Sequence, residues 1–300
     1  MNILIVSGFL GAGKTTFIQK LSEKTDKPFA VMENEYGGAG IDGNLLEQNR
    51  LKVWEMTEGC VCCSLKSDFA MSVLTIANTV APDYLVVEPT GVGMLSSVIA
   101  NLRKIEYDRI RLLKPLTVVD IDCIDSYLTT FEKFYVDQIK NAAHIVVSKT
   151  ENKSAAEIEK AVRTLAALNN EADITAKPYD SLDTAWWNEL FDITKNAFTG
   201  RGPLFPLPLS ASPDLETASF TGITVESIEA LISDLSALIA ERFGRVYRVK
   251  GFAPINGQWA KFDVVDKRYN IETCNAMSES KLTVIGKDLD KNALKLLFSC

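Results

Sequence analysis

Two short stretches hold residue types that do chemistry. In "EGCVCCSLKSD", Glu58 to Asp68, the cysteines Cys60, Cys62 and Cys63 fall together, half of the six in this 300-residue chain. Thiolates are soft donors suited to Zn²⁺, Cu(I) and, less exclusively, Co²⁺ or Ni²⁺. One residue separates Cys60 from Cys62, so an extended backbone turns both to one face, and Cys63 joins them only across a turn. Three sulfurs with one carboxylate or water make a four-coordinate site, and an incomplete protein shell lets a partner displace the weak ligand. Two other readings of the stretch are a Cys60–Cys63 disulfide across C-x-x-C and three small residues packed in a core.

The second stretch, "GFLGAGKTT", Gly8 to Thr16, fits G-x-x-x-x-G-K-[ST] through Gly8, Gly13, Lys14 and Thr15. Glycines let the backbone curl until successive N–H groups face phosphate oxygens, and the helix that opens here adds its positive end. Gly8, Gly11, Ala12 and Gly13 are the expected backbone cradle. Lys14 reaches the β- and γ-phosphates, and the Thr15 hydroxyl ligates Mg²⁺. A carboxylate at a neighbouring strand end is expected to hold the metal's water shell. "DYLVVEPTG" supplies Glu88, with Gly91 three residues on to let the loop approach a γ-phosphate. Asp120, ending "PLTVVD", competes; it also suits a cap on the following helix. Glu88 is preferred for its spacing to Gly91.

The elements that must position these groups are legible in the hydrophobic pattern. Asn2 to Ser7 is an apolar run, followed by an amphipathic segment from Lys14 to Ser22. Strand candidates recur at 29–33, 51–56, 83–88, 115–120 and 144–148, with helical patterns between most of them. Leu65, Phe69, Val73 and Ala77 put one stripe on a helix. Apolar strands alternating with amphipathic helices predict an α/β fold, a mostly parallel sheet covered on both faces. Four of the ten prolines lie in 201–213, which predicts a linker between a nucleotide domain, 1–200, and a smaller α+β domain, 214–300. In the smaller domain the expected elements are a strand over 219–225, a helix over 225–241, strands near 245–252, 259–265 and 281–286, and a helix from Lys291.

The P-loop, "MENEYGGAGIDG" (32–43), "GCVCCSL" (59–65) and "VVEPTG" (86–91), in that order, resemble the CobW-type family of P-loop GTPases, which is related to the urease and hydrogenase nickel-insertion GTPases. "VYRVKGF", 246–252, looks like that family's C-terminal domain. The resemblance implies GTP/GDP with Mg²⁺, phosphate and Mg²⁺ held by Gly13, Lys14, Thr15 and Thr16, and a metallochaperone role in which hydrolysis drives metal delivery or metallocofactor assembly. It implies that Glu35 and Asp42 belong to a nucleotide-sensing switch, either of them orienting the attacking water. It also implies that Glu33 with Cys60, Cys62 and Cys63 forms the transferred-metal site, for Zn²⁺ or Co²⁺. Dimerisation and a metalloprotein client are implied as well.

Two departures stand out. The family's guanine-reading N-K-x-D becomes Ser148, Lys149 and Glu151 in "HIVVSKTE". An aspartate accepts from guanine N1–H and the exocyclic amine, a donor pair adenine lacks. Glu151 keeps the carboxylate one methylene farther out, and Ser148 cannot supply an amide's donor and acceptor together. Gly38 stands where many relatives have a glutamate, so the metal site is sulfur-rich. The only histidine, His144, opens a strand and is read as structural.

Composition bounds the rest. A formal charge of −7 and a pI near 5.0 disfavour nucleic acid and anionic membranes as partners. The apolar opening lacks a basic leader and reads as a first buried strand. Scattered Cys123, Cys274 and Cys300 suggest no disulfide framework, and the expected setting is the reducing cytoplasm. The expected function is that of a GTP-hydrolysing metallochaperone. The alternatives are a nucleotide-gated zinc sensor or regulator and a P-loop small-molecule kinase.

Overall fold

The computed structural model describes residues 1–34, 53–56, 66–198 and 215–298. These form two compact units, one within 1–198 and one within 215–298. The expected linker over 201–213 lies outside the described residues.

The first unit is built on a parallel sheet. Its strands are β1 (Asn2–Gly8), β2 (Ala30–Asn34), β3 (Val53–Met56), β4 (Tyr84–Glu88), β5 (Arg111–Leu112), β6 (Leu116–Asp120), β7 (His144–Ser148) and β8 (Asp173–Thr175). They lie in the order β3-β2-β4-β1-β6-β7-β8, with β5 paired to β1. Parallel strands need crossover helices, which cover both faces, so the interior strands read as continuous apolar runs. β1 shows this: from Leu4's neighbour Ile3 to Gly8 every residue is buried. Leu4, Val6, Val86, Val118 and Val146 face one core with Phe17, Leu21 and Trp187. Phe9, just past β1, packs instead against Tyr127 and Phe131, with ring centroids 4.8 and 4.7 Å away. Each such buried side chain contributes about 1.5–3 kcal/mol of transfer free energy.

The expected strands are present, β2, β4 and β6 each starting one residue later than the pattern suggests; the first two residues of the expected 51–56 strand lie outside the described residues. Two were not expected, β5 and β8, of two and three residues, too short to show a period. The helix Lys66–Thr79 follows the expected stripe with one correction: Phe69, Val73 and Ile76 are the buried positions, and Ala77 is only half-buried. The stripe turns at i+7 because a straight helix has 3.6 residues per turn. Among the described residues no helix is long and apolar enough to cross a membrane.

The second unit is an antiparallel sheet in the order β12-β11-β10-β13-β9, from β9 (Glu216–Thr221), β10 (Arg245–Ile255), β11 (Gln258–Val265), β12 (Arg268–Cys274) and β13 (Lys281–Lys287). Helices Ile228–Ile239 and Lys291–Leu297 supply Leu231, Leu235, Leu238 and Leu294 to the core over one sheet face. The first strand ends at Thr221 rather than running to 225. Gly222, at φ 69°, turns the chain, and its N–H donates to Ser280 O at 2.9 Å. The edge strand β12 was not expected; its residues are mostly exposed and polar, so no apolar alternation marks it.

Candidate functional site

The P-loop leaves the sheet at its centre, where β1 lies between β4 and β6. Gly8 ends the strand at φ 148°, and a Cβ there would stand 2.4 Å from Val118 O on β6. Only glycine fits that approach. Gly11 and Gly13 have φ 72° and 93°, the left-handed values that curl the loop. Gly13 is the N-cap of helix α1 (Lys14–Lys24), which has neither a side-chain cap nor an acidic residue in its first turn. A helix start left without an anionic cap suits an anionic ligand.

Three functional side chains gather beside it. Lys14 and Glu88 are both buried, with Nζ 3.8 Å from Oε1. The Thr15 hydroxyl lies 3.4 and 3.5 Å from the two Glu88 oxygens. Thr16 is exposed. Hydroxyl and carboxylate oxygens form a hard donor set, which fits Mg²⁺. Glu88 can face this set because β4 runs next to β1 and ends just short of the loop: Val87 pairs with Ile5, which sets Glu88 beside Val6, two residues before Gly8.

Gly91 follows on the loop after β4. A Cβ there would be 3.0 Å from both Leu10 N and Leu10 Cδ2. Its missing side chain is therefore demanded first by the P-loop itself. The carbonyls of Gly91 and Gly93 accept from Gln138 Nε2 at 3.1 and 2.7 Å. Tyr127 donates its hydroxyl to Leu10 O at 3.2 Å.

Asp120 occupies a different position. Its Oδ2 accepts from Lys149 Nζ at 2.7 Å and from the Cys123 thiol at 3.4 Å, and its Oδ1 accepts from Asp122 N at 3.0 Å. It organises the turn after β6, while the following helix, Ile124–Thr130, has Cys123 as N-cap with no side-chain bond. Lys149 also donates to Gly11 O at 3.1 Å and takes φ 61°. The Ser148 hydroxyl has one hydrogen for two carbonyls, Ala12 O at 2.7 Å and Val119 O at 3.2 Å. Ser148 and Lys149 thus brace the P-loop, and Glu151 is exposed. The Ser154–Glu157 capping box starts the next helix and fixes where this loop ends.

Val146 pairs with Thr175, so the chain after β8, Ala176 and Lys177, leaves the sheet at the same end as Ser148. Ligands of parallel sheets bind beyond the strands' carboxyl ends. The sequence carries no signal for this loop, because β8 is too short to show a period and its place beside β7 is seen only in the sheet. Gln138 and Tyr127 were missed too. Both sit in helical stretches where no local pattern separates a buried polar residue from a surface one.

Of the expected metal ligands, Glu33 is 1% exposed on β2. Its register partners are Glu88 on β4 and Glu55 on β3. Paired residues of parallel strands share a face, so Glu33 stands one strand from Glu88. Cys60, Cys62, Cys63, Glu35, Gly38 and Asp42 lie outside the described residues. Among the described residues, no three His, Cys, Asp or Glu side chains form a metal-binding group.

The sequence model of the CobW/HypB/UreG nucleotide-binding domain matches residues 2–176. The chain belongs to this family. The cobalamin synthesis protein cobW C-terminal domain matches residues 223–300. The chain is similar to the zinc chaperone YjiA of Escherichia coli, 24% identical over 313 residues that cover 99% of this chain and 97% of the relative. It is 32% identical to the zinc chaperone YeiR of the same organism over 162 residues, 53% of this chain and 49% of that one. Among solved structures, the nickel complex of HypB from Helicobacter pylori shares the fold at 19% identity and a TM-score of 0.50, covering 66% of this chain and 90% of that one.

Proposed function

We propose that this chain is a GTP-hydrolysing metallochaperone that couples its nucleotide state to the loading and release of a transition metal. The relatives named zinc chaperones and the family's nucleotide-binding domain support the general class. The finer reading rests on one observation, the register that sets Glu33 beside Glu88. Glu88 stands with Thr15 and Lys14, where a terminal phosphate would be felt, and Glu33 joins Cys60, Cys62 and Cys63 as the proposed ligand set for the cargo. Neighbouring strands are about 4.8 Å apart, so a change at one carboxylate is a strong field at the other.

GTP would lie with its phosphates against the amides of Gly8 to Thr16. Lys14 stabilises charge on the β–γ bridge as it breaks. Magnesium, held through Thr15 and by way of water Glu88, would supply charge neutralisation between the β- and γ-phosphates. The loop after β4, fixed against Leu10, presents Gly91 toward the terminal phosphate. Glu35 or Asp42 orients the attacking water. Ser148 and Lys149 hold the P-loop from behind, which leaves Glu151 to accept from guanine N1–H and the exocyclic amine. The cargo site is sulfur-rich, suited to Zn²⁺ or Co²⁺, and its affinity is pH-dependent because the thiols must ionise. Delivery is to a metalloprotein client, with the protein acting as a dimer in the cytoplasm and touching neither nucleic acid nor membrane. We read the domain boundary as lying in the proline-rich 201–213.

The test is phosphate release from GTP together with metal binding. Lys14→Ala abolishes hydrolysis and leaves metal binding intact, and Cys62→Ser weakens metal binding and leaves basal hydrolysis intact. A Cys62→Ser protein with wild-type metal affinity would remove that thiol from the site. Phosphate appearing on a small-molecule acceptor rather than in solution would replace the reading with a kinase.

A further inference from the structure

Gln138 lies on the helix Glu132–Lys140 with its side chain 0% exposed. A glutamine is seldom fully buried without partners for its amide, and here it is the NH₂ group that has them. Both Nε2 hydrogens are used, one to Gly91 O at 3.1 Å and one to Gly93 O at 2.7 Å. The amide orientation is fixed by these partners, because a flip would set Oε1 against two carbonyls. The backbone of Gln138 is held in turn: its carbonyl accepts from Thr117 Oγ1 on β6 at 2.9 Å. The preceding residue, Asp137, accepts at Oδ2 from Ser96 N at 3.1 Å, in the first turn of the helix Leu95–Arg103. That helix has Met94 as N-cap with no side-chain bond, so Asp137 serves in its place. Consecutive residues of one helix therefore hold both ends of the stretch from Gly91 to Ser96.

The other side of the same loop rests on the P-loop, where Gly91 abuts Leu10 and Tyr127 donates to Leu10 O. Tyr127 lies on the helix just before the one that carries Gln138. The contacts close a ring, Tyr127 to Leu10 to Gly91 to Gln138. Glycine crosses between backbone regions at little cost, and apart from Gln138 the plane that carries Gly91 O is held by a long bond, Val92 N donating to Thr90 Oγ1 at 3.4 Å. The two Gln138 bonds set both planes.

We propose that Gln138 is a positioning residue for GTP hydrolysis: it latches the loop after β4 in the arrangement that meets the terminal phosphate. This rests on the proposed function in one respect, that the loop faces the γ-phosphate. The latch acts on the triphosphate state and not on the diphosphate, because GDP has nothing for the loop to meet. A residue that only supported folding would affect both alike.

The experiment uses the full-length protein and the variants Gln138→Met, which keeps the bulk without donors, and Ile139→Val, a core change on the same helix. Four quantities are read: kcat for GTP, affinity for GDP, affinity for a non-hydrolysable GTP analogue, and amide exchange over 88–94. Gln138→Met is expected to lower kcat about tenfold, the equivalent of roughly 1.4 kcal/mol in the barrier. It is expected to weaken the analogue several-fold, leave GDP within twofold and speed exchange in 88–94. Ile139→Val is expected to change none of these ratios. Wild-type kcat and wild-type analogue affinity in Gln138→Met would overturn the latch, as would equal losses for GDP and analogue. If the wild type released no phosphate from GTP, the proposed function would fall, and the ratio of analogue to GDP affinity would still decide the latch.

Discussion

Gly91→Ala tests the packing of the loop after β4 against the P-loop. The added Cβ would lie 3.0 Å from Leu10 N, 3.0 Å from Leu10 Cδ2 and 3.2 Å from Leu10 Cα. Ordinary contact begins near 3.4 Å, so Leu10 or the loop must give by a few tenths of an ångström. The Cδ2 atom can swing away, but the N and Cα atoms move only if the P-loop backbone moves. Overpacking of this kind costs about 1–3 kcal/mol. In a unit of this size each kcal/mol lowers the melting temperature by about 2–4 °C. The functional loss is larger, since a displacement near 1 Å at reacting groups costs on the order of 10²-fold in rate; a shift of a few tenths is expected to cost roughly tenfold. The assay is phosphate release under single-turnover conditions beside thermal melting, for Gly91→Ala and for Gly91→Ala with Leu10→Ala. The second change removes the Cδ2 contact and leaves the backbone contacts, so little of the rate returns; because Leu10 is buried and its truncation alone costs about 2–5 kcal/mol, melting of the double variant is compared with that of Leu10→Ala. Wild-type rate and melting in Gly91→Ala, or full recovery in the double variant, would refute the reasoning.

Lys149→Ala removes the cation shared by buried Asp120 and Gly11 O; with Lys149 40% exposed, the loss is discounted for solvent to about 1–2 kcal/mol, read by melting, and GDP affinity falls with it. Burial holds the His144 imidazole below its ordinary value, against the opposing hydrogen bond with Asn196 Oδ1. The unfolded chain then binds the proton first, so stability is whole above the unfolded value near 6.5 and is lost as the pH falls below it; His144→Gln flattens that slope in denaturant titrations, and the single histidine's NMR signal titrates low. Glu151→Asp shortens the exposed carboxylate that we propose reads the base and is expected to raise the GTP-over-ATP preference about tenfold in competition binding.

Much of the candidate nucleotide site is legible in the sequence because its chemistry is local. The P-loop spacing, the strand before it and Glu88 at a neighbouring strand end are all written within short windows. The parts that were not legible are relations between distant segments. Gly91 suggested close approach to a ligand, yet its nearest neighbour is Leu10. Ser148 looked like a poor base reader, and its hydroxyl instead reaches Ala12 O across 136 positions. Gln138 reads locally as a surface helix residue and is buried by β6 and the loop after β4. The row Glu55, Glu33 and Glu88 needs the strand order to be seen, because β4 lies beside β2 only through a crossover. Polar β12 escaped notice since an edge strand needs no apolar period.

The most direct measurement is a metal titration of the full-length protein with no nucleotide, with GDP and with a non-hydrolysable GTP analogue, repeated for Glu33→Gln. Coupling between two such sites amounts to about 1–3 kcal/mol. Zn²⁺ affinity is therefore expected to differ at least fivefold between the GDP and analogue states in the wild type, and the difference to shrink in Glu33→Gln. One Zn²⁺ affinity shared by all three nucleotide states would contradict the account.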